Sequence, residues 1–286
     1  MNYRHAFHAG NFADVVKHIV LTRILIYLHE KPSAFRVIDS HAGAGLYDLT
    51  GEDARRGGEW RDGIGRVRQA QFSAEVADLL RPYLDTVAAF NATTELTTYP
   101  GSPLIARALL RPQDRLVACE LEASARRRLI DNLRRDRQAR VVDLDGWMAL
   151  RAFLPPQERR GVVLIDPPFE QPDEFERMAE TFAAAFTKWP TGIFMLWYPV
   201  KDMAATRALA RAVTEQVGAA GARDRCLRIE LSRPAGGAGD TALATTGLLV
   251  VNPPWTLENQ LKTIMPELAA ALGGAPAGRF SLDHPA

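Results

Sequence analysis

The sequence is short of cysteine, with only Cys119 and Cys226. Both sit in apolar neighbourhoods, which reads as buried reduced thiols and excludes a disulfide framework or a cysteine-built zinc site. Charge of one sign is also lacking. Lys and Arg number 35 and Asp and Glu 34, for a net charge of +1. Binding of nucleic acid through bulk charge is therefore excluded, and any such contact has to come from local clusters. No apolar run is long enough to span a bilayer, and Met1-Asn2-Tyr3-Arg4-His5 has no apolar signal core. A cytoplasmic protein without membrane contact is expected. Histidine is scarce, and His5, His8 and His18 account for half of the six. Those three have no cysteine or carboxylate partner at ligand spacing, so no metal is expected. The pyrophosphate fingerprint G-x-G-x-x-G is missing, which argues against a nicotinamide oxidoreductase.

What is present is organised around Gly161-Val162-Val163-Leu164-Ile165-Asp166-Pro167-Pro168-Phe169. The apolar run reads as a strand buried on both faces. Two prolines stop it, because they lack amide protons and fix φ. Asp166 and Phe169 are thereby placed at the C-terminal edge of a parallel sheet, where open α/β folds bind ligands. The tetrad Asp166-Pro167-Pro168-Phe169 has the form used by amino-group methyltransferases dependent on S-adenosylmethionine. An adenine amine is a poor nucleophile, since its lone pair is delocalised into the ring. The Asp166 carboxylate and the Pro167 carbonyl are two acceptors that would hold its two protons and aim the lone pair. Phe169 would stack on the base, a contact worth roughly 1–3 kcal/mol. The blander alternative is a strand-ending turn with an aspartate cap.

The rest of the chain supplies a sheet around that strand. Aromatic and cationic groups crowd residues 3–11, ahead of a helix from about Phe12 to Leu28. That helix has an apolar face of Val15, Val16, Ile19, Val20, Ile24 and Leu28. The first strand, near 35–39, runs into the small turn His41-Ala42-Gly43-Ala44-Gly45, where a ligand can approach the backbone. Residues 47–98 read as an inserted, mainly helical subdomain inside one domain spanning 1–286. Its Arg55, Arg56, Arg61, Arg66 and Arg68 are either phosphate contacts or a solvated face. Ser102 as N-cap and Pro103 behind it open the delayed crossover helix. Its N-terminus suits the methionine carboxylate of a cofactor. The strand near 115–120 ends in Glu120, the acid expected to take ribose hydroxyls. The strand near 140–144 leads to Asp145 and Gly146, candidates for the adenine edge of the cofactor. Arg126, Arg127, Arg128, Arg134, Arg135 and Arg137 form the densest basic cluster. Strands near 192–200, 227–231 and 247–251 complete a set of seven. Trp197 reads as core. The last strand ends in a second tetrad, Asn252-Pro253-Pro254-Trp255, which also fits the amino-methyltransferase pattern. The first tetrad is favoured because the glycine turn, Glu120 and Asp145 precede it as the ends of strands one to three.

Taken together, Tyr3-Arg4-His5, Phe7-His8-Ala9-Gly10-Asn11, Lys17-His18, the 41–45 turn, Tyr99-Pro100-Gly101-Ser102-Pro103, Leu164 to Pro168, Leu196-Trp197-Tyr198-Pro199 and Val251 to Trp255 carry a resemblance. The chain resembles the J-type family of large-subunit (23S) ribosomal RNA adenine-N6 methyltransferases over nearly its whole length. The resemblance implies an α/β fold, a seven-stranded Rossmann-like class I methyltransferase with a small helical insertion. It implies S-adenosylmethionine as cofactor, with contacts at His18, His41, Ser102, Glu120, Asp145, Gly146 and Asp166. It also implies Asp166 as proton acceptor and Tyr3 as a substrate contact. Phe169 stands where that family usually has tyrosine, which keeps stacking and loses a phenolic hydrogen bond.

The expected reaction is direct methyl transfer to an adenine of 23S rRNA in a single strand or loop, by a monomer. DNA adenine or protein glutamine methylation would use the same tetrad. A non-catalytic RNA-binding module would show binding without transfer.

Overall fold

Strand β6 (Gly161–Ile165) is buried along its whole length in the computed structural model. The structure describes residues 7–134, 136–221, 225–234, 243–275 and 277–285, without the side chains of Asp53 and Arg55. Tyr3, His5, Arg135 and the glycine-rich stretch 235–242 lie outside the described residues. Successive side chains of a strand point to opposite faces. Val162 and Leu164 accordingly enter one apolar core, and Val163 and Ile165 enter the other.

The sheet grows in both directions from the pair formed by β6 and β1 (Arg36–Asp39), which run parallel. On the β1 side lie β4 (Arg115–Cys119) and β5 (Ala139–Val142), both parallel. On the β6 side lies β7 (Ile193–Pro199), parallel, followed by β9 (Thr245–Val251), β8 (Cys226–Ser232) and β10 (Arg279–Asp283), all antiparallel to their neighbours. The order is β10-β8-β9-β7-β6-β1-β4-β5. The main sheet therefore has eight strands where seven were expected. The extra one, β10, follows the second tetrad and α10 (Leu257–Gly273). A separate two-stranded ribbon, β2 (Leu46–Asp48) with β3 (Thr98–Pro100), sits beside it.

Helices α7 (Gly146–Phe153), α8 (Glu174–Lys188) and α9 (Met203–Ala219) supply the core on one face. Helix α1 (Phe12–His29), α4 (Ala74–Ala89), α5 (Ser102–Ala108) and α10 supply the other. The stretch 47–98 also holds α2 (Glu52–Gly57), a π-helical turn (Arg61–Gly65) and α3 (Arg66–Gln69). Its glycines divide this part into short helical pieces: Gly58 ends α2 in left-handed backbone, and Gly63 kinks the π-helical turn.

Helix α1 was expected to bury one face. It is buried nearly all round, and the covered residues include Asp14, Lys17, His18, Thr22 and Arg23. The reason is that the π turn, α4, α5 and α10 all pack around it. Asn11 caps this helix by accepting from the Asp14 amide at 2.9 Å. No helix among the described residues is long and apolar enough to cross a membrane.

Leu164 is fully buried at the centre of the larger core. Leu164→Ala should lower unfolding free energy by about 2–5 kcal/mol, because neighbouring strands on both sides prevent collapse of the cavity. Urea titration would show a lower midpoint with an unchanged slope.

Candidate active site

The strands from β5 to β7 all point their C-terminal ends to the same edge of the sheet, and the order reverses between β1 and β6. Open α/β sheets bind ligands at such a switch point. A cleft of about 630 Å³ lies there. His18, His41, Ser102, Glu120, Asp145, Gly146, Asp166 and Pro167 all line it, as does Lys17. Eight residues drawn from six separate stretches of sequence are thus brought to one cavity.

Asp166 follows directly on β6, with a side chain 13% exposed. The Lys17 ammonium donates to its Oδ2 at 2.5 Å and to Asp14 Oδ1 at 2.7 Å. Burial alone would push Lys17 down, but the two carboxylates outweigh it and hold the ammonium well above its ordinary range. The same ammonium lies 5.7 Å from the centre of the Trp197 ring. In the sequence, Lys17 enters only through the Lys17-His18 pair that carries the resemblance, with no role assigned to it. The legible signal was Asp14-x-x-Lys17, an acid and a base three apart on one helical face, inside a strongly apolar segment.

The glycine turn follows β1. Gly43 has φ of +64°, and a Cβ there would stand 2.2 Å from the Tyr47 hydroxyl. Its amide donates to Glu120 Oε2 at 2.7 Å, and Glu120 Oε1 accepts from the Glu122 amide at 2.7 Å. Burial raises the Glu120 carboxyl above its ordinary value, against those hydrogen bonds. Gly101, not Ser102, caps α5, and Ser102 is the first helical residue. Its hydroxyl is committed elsewhere, donating to Asp39 Oδ2 at 2.6 Å. Burial pushes the Asp39 carboxyl up to about 7, with the Ser102 hydrogen bond opposing. Its Oδ1 is buried without a hydrogen-bond partner.

His18 Nδ1 sits 2.7 Å from the Tyr99 hydroxyl, which lies 3.0 Å from that of Tyr83. His41 Nδ1 lies 2.8 Å from the Ser40 hydroxyl, and its ring meets Trp147 edge-on at 5.0 Å. Burial lowers His41 to about 4, so it is neutral at physiological pH. Asp145 caps α7 through the Trp147 amide at 2.8 Å. Its other oxygen faces Arg177 at 3.4 Å.

Phe169 does not line the cleft. Its ring rests 4.8 Å from Phe175 and 5.7 Å from Trp197, with φ of +52°. Trp197, read as core, is half-buried with its indole N–H donating to Thr246 Oγ1 at 2.8 Å. The second tetrad lies at the other end of the sheet. Because β9 runs antiparallel to β7, its C-terminal Val251 pairs with Phe194 near the start of β7. Asn252 turns its side-chain amide to the carbonyls of Pro190 and Gly192, at 2.9 and 2.7 Å. Of the α6 arginines (Ala123–Asn132 is helix α6), Arg126 is tied to the Leu121 carbonyl and to Asp143. Among the described residues no group of three or more His, Cys, Asp or Glu could hold a metal ion.

The fold and its cleft define a class I methyltransferase. Residues 32–284 match the family described as ribosomal RNA large subunit methyltransferase D, RlmJ, and the chain belongs to that family. It is 41% identical over 279 residues to ribosomal RNA large subunit methyltransferase J of Escherichia coli K12, covering 97% of this chain and 95% of that one. The protein of the same name from Haemophilus influenzae is 37% identical over 285 residues, covering 99% and 98%. The crystal structure of protein LPL1258 from Legionella pneumophila superposes with a TM-score of 0.87 at 32% identity, covering 98% of this chain and 99% of that one.

Lys17→Met should destabilise the fold by about 3–5 kcal/mol at neutral pH, because it strands Asp14 and Asp166 without their shared cation. The sign follows from the raised Lys17 pKa. The contribution is fully present below the ordinary lysine value and is lost only as pH rises through the folded one. Denaturant titration at pH 7 measures it, and a variant as stable as the parent would contradict the assignment.

Proposed function

We propose that the chain methylates N6 of an adenine in large-subunit ribosomal RNA, by direct transfer with no covalent enzyme intermediate. The observation that carries this reading is the Asp166-Pro167 corner, fixed by Lys17 inside the cleft at the sheet's switch point. Family membership supports the substrate class.

The cleft's residues suit S-adenosylmethionine. The 41–45 turn leaves room for a ligand against the backbone, and Glu120 offers carboxylate oxygens to ribose hydroxyls. His18, His41, Ser102, Asp145 and Gly146 would hold its remaining parts, and the unpartnered Asp39 oxygen adds negative potential beside them. When bound, the cofactor supplies an electrophilic methyl group on a sulfonium.

The chain's own residues do the rest. Lys17 occupies one oxygen of Asp166 and leaves the other for an N–H of the amine. The Pro167 carbonyl accepts the second N–H, so the nitrogen lone pair points across the cleft. That lone pair would be aimed at the methyl group of bound S-adenosylmethionine, whose sulfonium would leave as a neutral thioether. The nitrogen is then acidic, and Asp166 takes its proton. The amine is far too weak an acid to be deprotonated beforehand. The base has to leave its stack, at a cost of a few kcal/mol that is least in a loop or single strand. Phe169 is read as the stacking face for the base; its ring packs on Phe175 and Trp197, and Trp197 lies 5.7 Å from the Lys17 ammonium. Tyr3 is read as a further substrate contact, the stretch 47–98 as a helical subdomain within one domain, and the protein as a cytoplasmic monomer.

Asp166→Asn keeps the shape and one acceptor oxygen but removes the base. Turnover of labelled methyl into 23S rRNA should fall by about 10²–10⁴-fold, while calorimetry finds most cofactor affinity retained. Methylation at the parental rate would overturn the mechanism, and labelling of DNA or protein in preference to rRNA would overturn the substrate.

A further inference from the structure

The inserted segment touches the catalytic corner through an unbroken chain of hydrogen bonds. His8 Nδ1 lies 3.0 Å from both carboxylate oxygens of Glu59, which sits between α2 and the π turn. The Asn11 side-chain amide donates to Glu59 Oε2 at 2.9 Å. The same Asn11 side chain accepts from the Asp14 amide through its oxygen. Asp14 accepts from the Gly10 amide at 3.0 Å with Oδ2, and from Lys17 with Oδ1. Lys17 then reaches Asp166. Three residues, Asn11, Asp14 and Lys17, thus join Glu59 to the carboxylate that receives the substrate amine.

The backbone around this chain is docked just as closely. The Ile64 amide donates to the Gly10 carbonyl at 2.9 Å. Gly63 sits against Gly10 and Asn11 so tightly that a Cβ would come within 2.1 Å of the Gly10 carbonyl oxygen. Gly57 is pressed on the Phe7 carbonyl in the same way. The kink at Gly63 falls inside a π-helical turn, a distortion found often at functional sites. Residues 7–11 are therefore held closely against the insertion.

We infer that Glu59 is a positioning residue for methyl transfer: with His8 it latches residues 7–11 onto the insertion, and through Asn11, Asp14 and Lys17 it sets the place of the Asp166 carboxylate. This rests on the methyltransferase reading above. Glu59 touches no reacting atom, so its effect falls on the rate of transfer and not on cofactor binding. Asp166 has to meet the amine within a fraction of an ångström, and a small displacement there costs far more in rate than in stability.

The latch is pH-dependent in a defined direction. The hydrogen bond to Glu59 raises His8 above its ordinary value, against burial, with Asp14 adding to the rise and Lys201 opposing it. Burial of Glu59 works against its ionisation, but His8, Asn11 and Arg233 outweigh it and hold that carboxyl low. The charged pair is complete below the ordinary histidine value of about 6.5. It loses its charge as pH rises through the raised value, and the rate declines with it.

The test uses the full chain with S-adenosylmethionine and a 23S rRNA transcript. Glu59→Gln and His8→Gln should each lower kcat about tenfold, with the Kd for S-adenosylhomocysteine within about twofold of the parent. The double variant should be no slower than about twofold below either single one, because both cut the same chain. In Glu59→Gln the alkaline decline should disappear, because the charged pair is absent at every pH. Single variants as fast as the parent, additive losses, an unmoved pH profile, or cofactor affinity falling in step with kcat would each overturn the proposal. Should Glu59→Gln melt below the assay temperature, His8→Gln carries the same test, since its side chain is 40% exposed. The methyltransferase reading is scored separately, by whether the parent labels the transcript and Asp166→Asn does not.

Discussion

The structure depends on one buried ammonium held between two carboxylates. Lys17 joins Asp14, on its own helix, to Asp166, which lies 149 positions away at the end of β6. Taking three charges out of water is costly, and a well-packed apolar trio would stabilise a fold at least as well. Such a triad is retained where it fixes something that apolar packing cannot. Here it fixes the orientation of a carboxylate and the register of a central helix against the sheet edge. Helix α1 is buried nearly all round, and an apolar cylinder in that position would be free to rotate or slide. A charged contact with defined direction removes that freedom.

The rest of the cleft is tuned by the same exclusion of water. His41 is pushed down to about 4, Asp39 is pushed up to about 7 and Glu120 is raised, each chiefly by burial. The imidazole is thereby kept neutral, and a carboxyl is placed close to its titration point within the field of Lys17 and Asp166. A sulfonium donor is a cation without hydrogen-bond donors of its own at sulfur. On the proposed function it would be served by negative potential in a low-dielectric wall, to which Glu120 and the ionised fraction of Asp39 would contribute.

How much of this was legible in the sequence depended on whether the signal was local. The Leu164-Ile165-Asp166-Pro167-Pro168 corner could be read because its apolar run, its carboxylate and its breakers are consecutive. Gly43, Glu120 and Asp145 could be placed because each ends a short apolar strand, and strand ends share an edge in a parallel sheet. Two kinds of feature could not be read. Side-chain commitments across distant segments leave no local trace, so the sequence suggests Ser102 as a cap while its hydroxyl serves Asp39. Burial of a whole helix was hidden as well. The coverage of α1 comes from 52–108 and 257–273, and nothing within 12–29 announces it. The eighth strand was missed because Arg279–Asp283 alternates weakly and is half exposed. It pairs only as an edge strand.

The two proline tetrads show why residue type alone does not make a site. Asp166-Pro167-Pro168 and Asn252-Pro253-Pro254 both end apolar strands, and both lead into an aromatic residue. Phe169 and Asn252 even share left-handed backbone, at φ of +52° and +53°. The difference is strand polarity. β6 runs parallel to its neighbours, so its terminal acid opens on the edge where the glycine turn and the acids of β4 and β5 also end. β9 runs the other way, so the same chemistry is delivered to the opposite edge, where Asn252 is consumed in tying down the start of β7. Trp255 is left 75% exposed there and does not line the cleft at the switch point. On the proposed function, an amine held by two acceptors would also need room across from it for a methyl donor, and the first tetrad's edge carries a cleft of about 630 Å³.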